Sequence, residues 1–275
     1  MPTAEDDFAP TAGVMPTLFV GHGSPMNAIE DNEFSQAWIA AGKELPRPAA
    51  ILCVSAHWET HGTFVTAMER PRTIHDFGGF PRALHEQQYP TPGSPALASL
   101  IRETTMAVEI GGVTEMLQIH RDHSWGLDHG AWSVLMRLFP HADVPVVQLS
   151  LDRARPPVFH YALGQALSPL RRRGVLIVGS GNIVHNLGVW CQEDRAYDWA
   201  LSFDDTIRRL VEAGDHQAIV DFGRLGMDAR LAIPTNEHFL PLLYVLGAHG
   251  AKEPLRFFAE KVTYCSMSMR SIRVG

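Results

Sequence analysis

Four short runs of apolar residues along the chain show no alternation with polar positions. They cover residues 17–20, 49–55, 144–150 and 175–179. Unbroken apolar runs of this length predict strands that are buried on both faces, as in a mainly parallel sheet.

Helical patterns lie between and after these runs, at residues 95–106, 131–139, 158–170 and 199–213. Strands that alternate with helices predict an α/β fold, with a central, mainly parallel (mixed) sheet and helices on both faces.

No repeat, low-complexity tract or linker divides the chain, so we expect one domain over residues 17–275. Residues 1–16 are acidic and rich in Pro and Ala, which predicts a flexible N-terminal arm. The loop at 69–92, rich in Pro, Gly and aromatic residues, is long enough to suggest a functional role.

Composition and charge narrow the class of protein. Hydrophobic residues make up 45% and charged residues 19%, and the net charge is -7. The one basic cluster, residues 171–173, precedes Gly174 and is typical of a helix C-terminus. We therefore expect no nucleic-acid partner, and no apolar run is long enough to span a membrane. Homo-oligomerisation is left open.

The three cysteines, Cys53, Cys191 and Cys265, form no Cys-x-x-Cys motif, and the N-terminus does not have the pattern of an export signal. This pattern predicts a reducing, cytoplasmic location.

Histidines recur at the ends of the predicted strands. His22 and His57 follow the first two runs, His185 follows the fourth, and His238 opens an apolar helical stretch. Ligands of open α/β sheets bind beyond the carboxyl ends of the strands, so these four side chains are expected to converge. Neutral imidazoles suit Zn, Fe, Cu or Ni rather than Mg or Ca. No zinc-protease or zinc-finger motif accompanies them.

A fifth histidine, His129, stands in a loop between Trp125 and Trp132, directly after Asp128. Asp128 capping the following helix would by itself explain this motif. The alternative is that His129 supports the metal ligands or binds substrate, since apolar cavities with a few polar groups suit aromatic ligands.

Six sequence blocks together resemble the class III extradiol ring-cleaving dioxygenases, and most closely their 4,5-DOPA dioxygenase branch. The blocks are Gly-His-Gly-Ser-Pro-Met-Asn at 21–27, Ser-Ala-His-Trp at 55–58, Ile-His-Asp-Phe-Gly-Gly-Phe-Pro at 74–81, Gly-Leu-Asp-His-Gly at 126–130, Gly-Asn-Ile-Val-His-Asn at 181–186 and Glu-His-Phe-Leu-Pro-Leu at 237–242.

The resemblance implies a metal that is physiologically Fe(II) and is often replaced by Zn(II) on purification. By the same resemblance His22 and His57 are metal ligands, and His238 is the third. Glu237 is its rival, because protocatechuate-type relatives use a glutamate. Adjacent helical residues point about 100° apart, so only one of the two should face the metal. His185 matches the active-site histidine close to the metal, and it becomes a fourth ligand if zinc is bound.

The implied reaction inserts O2 into a catechol ring, that of L-DOPA or a related catechol, and yields a ring-opened semialdehyde. An imidazole suits the proton transfers that this reaction needs, which assigns acid-base roles to His185 and His129. We expect substrate contacts from His75, Phe77, Phe80 and Trp125, with the aromatic loop closing over the ring. Two alternatives stay open: a zinc-dependent hydrolase that uses the same histidines, and a metal-storage or ligand-binding protein without turnover.

Overall fold

The apolar runs form the centre of an eight-stranded mixed sheet in the computed structural model, which describes residues 8–193, 195–250 and 253–275. Within these residues the strands are β1 (Thr17–Gly21), β2 (Ala50–Thr60), β3 (Thr63–Thr66), β4 (Ala107–Ile110), β5 (Val113–Met116), β6 (Ile119–Asp122), β7 (Val146–Asp152), β8 (Val175–Gly181), β9 (Leu255–Phe258), β10 (Val262–Thr263), β11 (Met267–Ser268) and β12 (Ser271–Val274). The sheet order is β6-β3-β7-β2-β8-β1-β12-β9. The four predicted strands, β1, β2, β7 and β8, are parallel neighbours at its centre, which confirms the predicted mainly parallel sheet.

Helices cover both faces of this sheet. They are α1 (Glu33–Glu44), α2 (Arg82–His85), α3 (Pro95–Thr104), α4 (His129–Leu138), α5 (Pro157–Leu167), α6 (Asp198–Ala213), α7 (His216–Val220), α8 (Met227–Ala232) and α9 (Leu240–Gly247). Alternate residues of β2 enter two separate cores: Leu52 and Val54 pack with α3, α5 and α9, whereas Ile51 and Cys53 pack with α1 and α4. Burial on both faces explains why the central strands lack polar alternation.

Two of the predicted histidine positions differ from the structure. Strand β2 continues to Thr60, so His57 lies inside the strand, where the pairing register with β7 shifts between Val54 and Glu59. The apolar run at residues 49–55 did not predict this shift, so the strand was expected to end before His57. Helix α9 begins at Leu240, so His238 lies in the turn before the helix rather than at its first residue.

The N-terminal arm is docked wherever it is described, while residues 1–7 lie outside the described residues. Phe8 and Met15 are buried, and the Met15 amide donates to the Arg171 carbonyl oxygen at 3.0 Å. Arg171 is itself buried, donates to the Met15 carbonyl oxygen and pairs with Glu253 at 2.8 Å. Residues 8–16 are therefore held by backbone hydrogen bonds, in contrast to the flexible arm predicted from composition.

Two cysteines that carry no spacing motif meet in space. Cys191 and Cys265, which are 74 positions apart, form a disulfide, and Cys53 is buried and free. Disulfides are uncommon in reducing compartments, so cysteine spacing no longer supports the cytoplasmic location, which stays a prediction. Of the helices in the described part of the chain, none has the length and apolarity needed to cross a bilayer.

Candidate metal centre and active site

Five histidines from distant parts of the chain line one cavity of about 530 Å³ at the carboxyl ends of the central strands. They are the five predicted metal-binding and acid-base residues, His22, His57, His129, His185 and His238. Phe77 and Phe80, from the long loop at 69–92, line the same cavity. The predicted convergence of His22, His57, His185 and His238 is therefore present, and His129, Phe77 and Phe80 lie beside them.

A close backbone contact fixes His238 beside His22. The Asn182 amide, directly after β8, donates to the His238 carbonyl oxygen at 2.8 Å, and the His22 amide donates to the Gly181 carbonyl oxygen at 3.0 Å. A Cβ atom at Gly181 would lie 2.1 Å from the His238 carbonyl oxygen. Only glycine allows this approach, so Gly181 ties the turn before α9 to the edge of the sheet.

Three of the histidine rings form a nearly equilateral triangle. Their centroids are 5.1 Å apart for His22 and His57, 5.2 Å for His22 and His238, and 5.1 Å for His57 and His238. The Nε2 atoms of His22 and His57 are 3.3 Å apart. Three imidazoles at this spacing can present nitrogen atoms to one ion while leaving other positions on that ion open.

Two rings of the triangle are hydrogen-bonded at Nδ1, and the third has a carboxylate close to that atom. Ser180 Oγ lies 2.9 Å from His22 Nδ1 and donates its own proton to the Gly130 carbonyl oxygen, so it accepts from the histidine. Glu237 Oε1 lies 2.9 Å from His238 Nδ1, and Asp76 Oδ2 lies 3.6 Å from His57 Nδ1.

An acceptor at Nδ1 fixes the tautomer and leaves the Nε2 lone pair free, which is the usual support for metal-binding histidines. Glu237 therefore serves as a partner of His238 in this geometry, a role that the sequence did not suggest.

Burial keeps the imidazoles of the triangle neutral. Burial, together with the neighbouring His129, lowers the pKa of His57 to about 3, against the opposing effect of Asp76. Burial and the other histidines also hold the pKa values of His22 and His238 well below the ordinary value. Neutral imidazoles with free lone pairs are the form that binds transition metals.

His185 lies flat against His238, with ring centroids 3.4 Å apart and an interplanar angle of 9°. Burial lowers the pKa of His185 to about 4, although the nearby Glu237 carboxylate opposes this shift. His185 is therefore a neutral base at pH 7.

His129 packs beside His57 at the start of α4. Their ring centroids are 3.9 Å apart. Asp76 approaches His129 twice: its Oδ2 atom lies 3.0 Å from Nδ1, and its Oδ1 atom accepts from the His129 amide at 2.8 Å. Asp128 caps α4 by accepting from the Ala131 amide, which confirms the predicted cap. The two interpretations of the Asp128-His129 motif are therefore compatible: Asp128 caps the helix, and the cap holds His129 at the cavity, where it could support the metal ligands or bind substrate.

Asp76 is the site residue that sequence reasoning missed. It lies between His75 and Phe77 in the long loop. The Asp-Phe-Gly triplet there resembles that of protein kinases by chance, since no other kinase motif accompanies it. Burial alone would raise the pKa of Asp76, but contacts with His129 and His57 lower it overall. Two signals were available: Asp76 is a carboxylate among the aromatic residues of a long loop, and it lies within the family block at 74–81.

The possible ligand atoms form two close groups among the described residues, His22 with His57 and His129, and His185 with Glu237 and His238. Within each group the atoms lie within 4.8 Å of one another. The second group contains both residues that the sequence left as rivals, Glu237 and His238.

Two residues predicted to contact substrate, His75 and Trp125, are not among those that line the cavity. His75 Nε2 lies 2.9 Å from the Gln87 carbonyl oxygen, and the His75 ring packs against Phe77 and Trp132. Trp125 stacks on Trp58, with centroids 5.6 Å apart. Their direct contact with substrate therefore stays a prediction.

The sequence profile of a known family matches nearly the whole chain. The family is described as the catalytic LigB subunit of aromatic ring-opening dioxygenase, and the match covers residues 16–275. The chain belongs to this family. The family assignment and the enzyme class predicted from the six sequence blocks are thereby confirmed. The cavity contains groups of side chains that could hold the metal on which such dioxygenases depend.

Relatives of this dioxygenase cover almost its full length. The 4,5-DOPA dioxygenase extradiol of Escherichia coli (strain K12) is 44% identical, with 95% of each chain covered. The 4,5-DOPA dioxygenase extradiol of Beta vulgaris is 38% identical over 85% of this chain and 87% of its own. The crystal structure of an uncharacterized protein from Escherichia coli K12 has 40% sequence identity and a TM-score of 0.78, covering 95% of this chain and 100% of the other.

Proposed function

We propose that this dioxygenase uses Fe(II), held by His22, His57 and His238, to open the ring of a catechol such as L-DOPA or a related compound. The triangle of neutral histidine rings is the observation that carries the proposal. The ring-opened product is expected to be a semialdehyde.

The donor set fits such an ion. Three nitrogen ligands on one side of a metal are typical of sites that keep positions free for substrate and dioxygen. We favour His238 over His129 as the third ligand because His129 is 6.0 Å from His22 between ring centroids and packs alongside His57. We favour His238 over Glu237 because the Glu237 carboxylate is already engaged by His238 Nδ1 and by the Thr235 hydroxyl.

When bound, Fe(II) supplies the positions for both catechol oxygens and for dioxygen, and the path for electrons between them. The protein side chains then have three tasks. His185, neutral because of its lowered pKa, accepts a proton from a catechol hydroxyl and later returns it. His129, aligned by Asp76, assists this transfer at the other side of the triangle. Phe77 and Phe80, which line the cavity, exclude water from the catechol ring. This is the lid role that we expect of their loop.

Zinc in place of iron would keep His22, His57 and His238 as ligands. We propose that purified protein contains Zn(II), with His185 as a fourth ligand beside His238. The hydrolase alternative loses its support, because the chain belongs to a family of aromatic ring-opening dioxygenases.

The decisive experiment reconstitutes metal-free protein with Fe(II) or Zn(II) under anaerobic conditions and then adds oxygen and a panel of catechols. We expect oxygen uptake and a yellow product with iron only. Turnover with zinc in the absence of oxygen would contradict the proposal. Catechol binding without oxygen uptake would indicate a ligand-binding protein instead.

A further inference from the structure

Asp76 joins the long loop to two histidines of the cavity. Its Oδ2 atom lies 3.0 Å from His129 Nδ1 and 3.6 Å from His57 Nδ1, and its Oδ1 atom accepts from the His129 amide at 2.8 Å. The next five residues, 77–81, are Phe-Gly-Gly-Phe-Pro and carry no polar side chain. Beyond Asp76, the side chains of this segment can therefore contact the cavity only through apolar surface.

The loop reaches Asp76 in a fixed position. The indole Nε1 of Trp132 donates to the Ile74 carbonyl oxygen at 2.8 Å, and the Ile74 amide donates to the Leu127 carbonyl oxygen at 2.7 Å. Leu127 lies just before α4, and Trp132 lies in its first turn. These bonds hold residue 74 against the start of α4, so Asp76 emerges beside the histidines.

The aromatic turn, residues 77–80, follows Asp76 and has open space beside its two glycines. A Cβ atom at Gly78 or Gly79 would meet nothing within 4 Å, and Gly79 has a φ of +78°. Phe77 and Phe80 line the cavity and pack edge to face, with ring centroids 5.4 Å apart. The turn can therefore move with little steric hindrance, and the residue that anchors it determines how its two rings cover the cavity.

The His57 ring lies between Asp76 and the proposed metal ligands. Its Nε2 atom is 3.3 Å from His22 Nε2, inside the triangle, while its Nδ1 atom faces Asp76. The 3.6 Å between Nδ1 and Asp76 Oδ2 is longer than a hydrogen bond, so this contact can shorten. A divalent ion bound at Nε2 makes the Nδ1–H group a stronger donor and adds positive charge near the carboxylate. Both effects draw Asp76 towards His57.

We infer that Asp76 couples metal binding to closure of the aromatic turn. A metal ion on His57 tightens the contact with Asp76, and the turn that follows is then held over the cavity. Phe77 also packs edge to face against His129, with ring centroids 5.5 Å apart, so a shift of Asp76 passes directly to its neighbour. The inference rests on the proposed function and gives a positioning role to a residue that does not itself line the cavity.

Hydrogen-deuterium exchange with and without zinc tests this coupling in the absence of turnover. Zn(II) is added to metal-free protein at saturating concentration, and metal analysis verifies that it is bound. We expect zinc to slow exchange of the amides at 77–80 by about tenfold, which corresponds to about 1.4 kcal/mol.

Variants at Asp76 separate charge from a purely structural role. Asp76→Asn and Asp76→Ser are two neutral replacements, and in both we expect zinc to slow exchange by less than about twofold. Asp76→Glu keeps the charge and should retain more of the slowing than Asp76→Asn. A purely structural role would raise exchange by the same factor with and without zinc. Zinc would then still slow exchange about tenfold in the neutral variants, and that result would overturn the inference.

Glu86→Gln is the matched control. Glu86 lies in the same loop, its side chain is 56% exposed, and it pairs with Arg82 rather than with a histidine. Zinc should slow exchange in this variant as much as in the wild-type protein. An equal loss of slowing in Glu86→Gln would assign the effect to the net charge of the loop and overturn the role of Asp76.

The wild-type protein distinguishes failure of this inference from failure of the proposed function. If it binds no zinc and the iron-loaded protein opens no catechol ring, the proposed function is refuted. If zinc binds and iron supports ring opening, but exchange at 77–80 is the same with and without zinc, only the coupling is overturned. This comparison needs no variant, so it decides the inference even where a substitution prevents folding.

Discussion

Replacing Glu237 by Gln tests the support of the third proposed ligand. Glu237 Oε1 lies 2.9 Å from His238 Nδ1, and the His238 side chain is almost fully buried. The loss of such an outer partner typically weakens metal affinity 10–100-fold, which corresponds to about 1.4–2.7 kcal/mol. Gln keeps an acceptor oxygen but loses the charge, so we expect a loss of about tenfold. Glu237→Ala should lose about 100-fold.

Competition with a chromophoric chelator measures the Zn(II) affinity of these variants at constant pH. His238→Ala should lose more than Glu237→Ala, because it removes a ligand rather than its partner. Glu44→Gln is the control for the change in net charge, since Glu44 pairs with Arg256 on the surface away from the cavity. Nearly abolished binding in Glu237→Gln, with near-normal binding in His238→Ala, would refute the reasoning and make Glu237 the ligand.

Three further predictions concern catalysis and stability. His185→Ala should retain metal but lower kcat by about 10²–10⁴-fold, as measured by metal analysis and oxygen uptake; wild-type turnover would exclude the base role. Asp204→Ala should lower the free energy of unfolding by about 3 kcal/mol in urea denaturation, because it leaves buried Arg270 without its main partner; a loss below about 1 kcal/mol would contradict this. Burial lowers the pKa of His160 to about 4 from an ordinary 6.5, so the unfolded chain takes up the proton first. Stability present above pH 6.5 should therefore fall by about 3 kcal/mol towards pH 4, and the decrease should be smaller in His160→Gln when urea unfolding is repeated across this range.

The local pattern of apolar residues was sufficient to predict the central sheet and the edge of the sheet at which the site lies. The runs that became β1, β2, β7 and β8 are apolar on both faces because helices cover both faces. Parallel strands bring their carboxyl ends to one edge, so His22 and His185 could be assigned to the same edge before any contact was known.

The local sequence pattern did not predict contacts between residues that are far apart in the chain. Asp76 reaches His57 and His129 because the long loop folds back over the sheet, and no spacing in the sequence encodes that path. The same holds for Cys191 and Cys265, whose disulfide joins segments 74 positions apart.

The sequence by itself therefore determined the sheet, the family and the five histidines of the cavity, because strand burial and motif order are local properties. Only the tertiary structure decided how these histidines are arranged. It made Glu237 the partner of His238 and brought His185 flat against that ring. Side-chain direction and neighbouring charge depend on packing between segments that are distant in sequence, and local pattern carries no record of that packing.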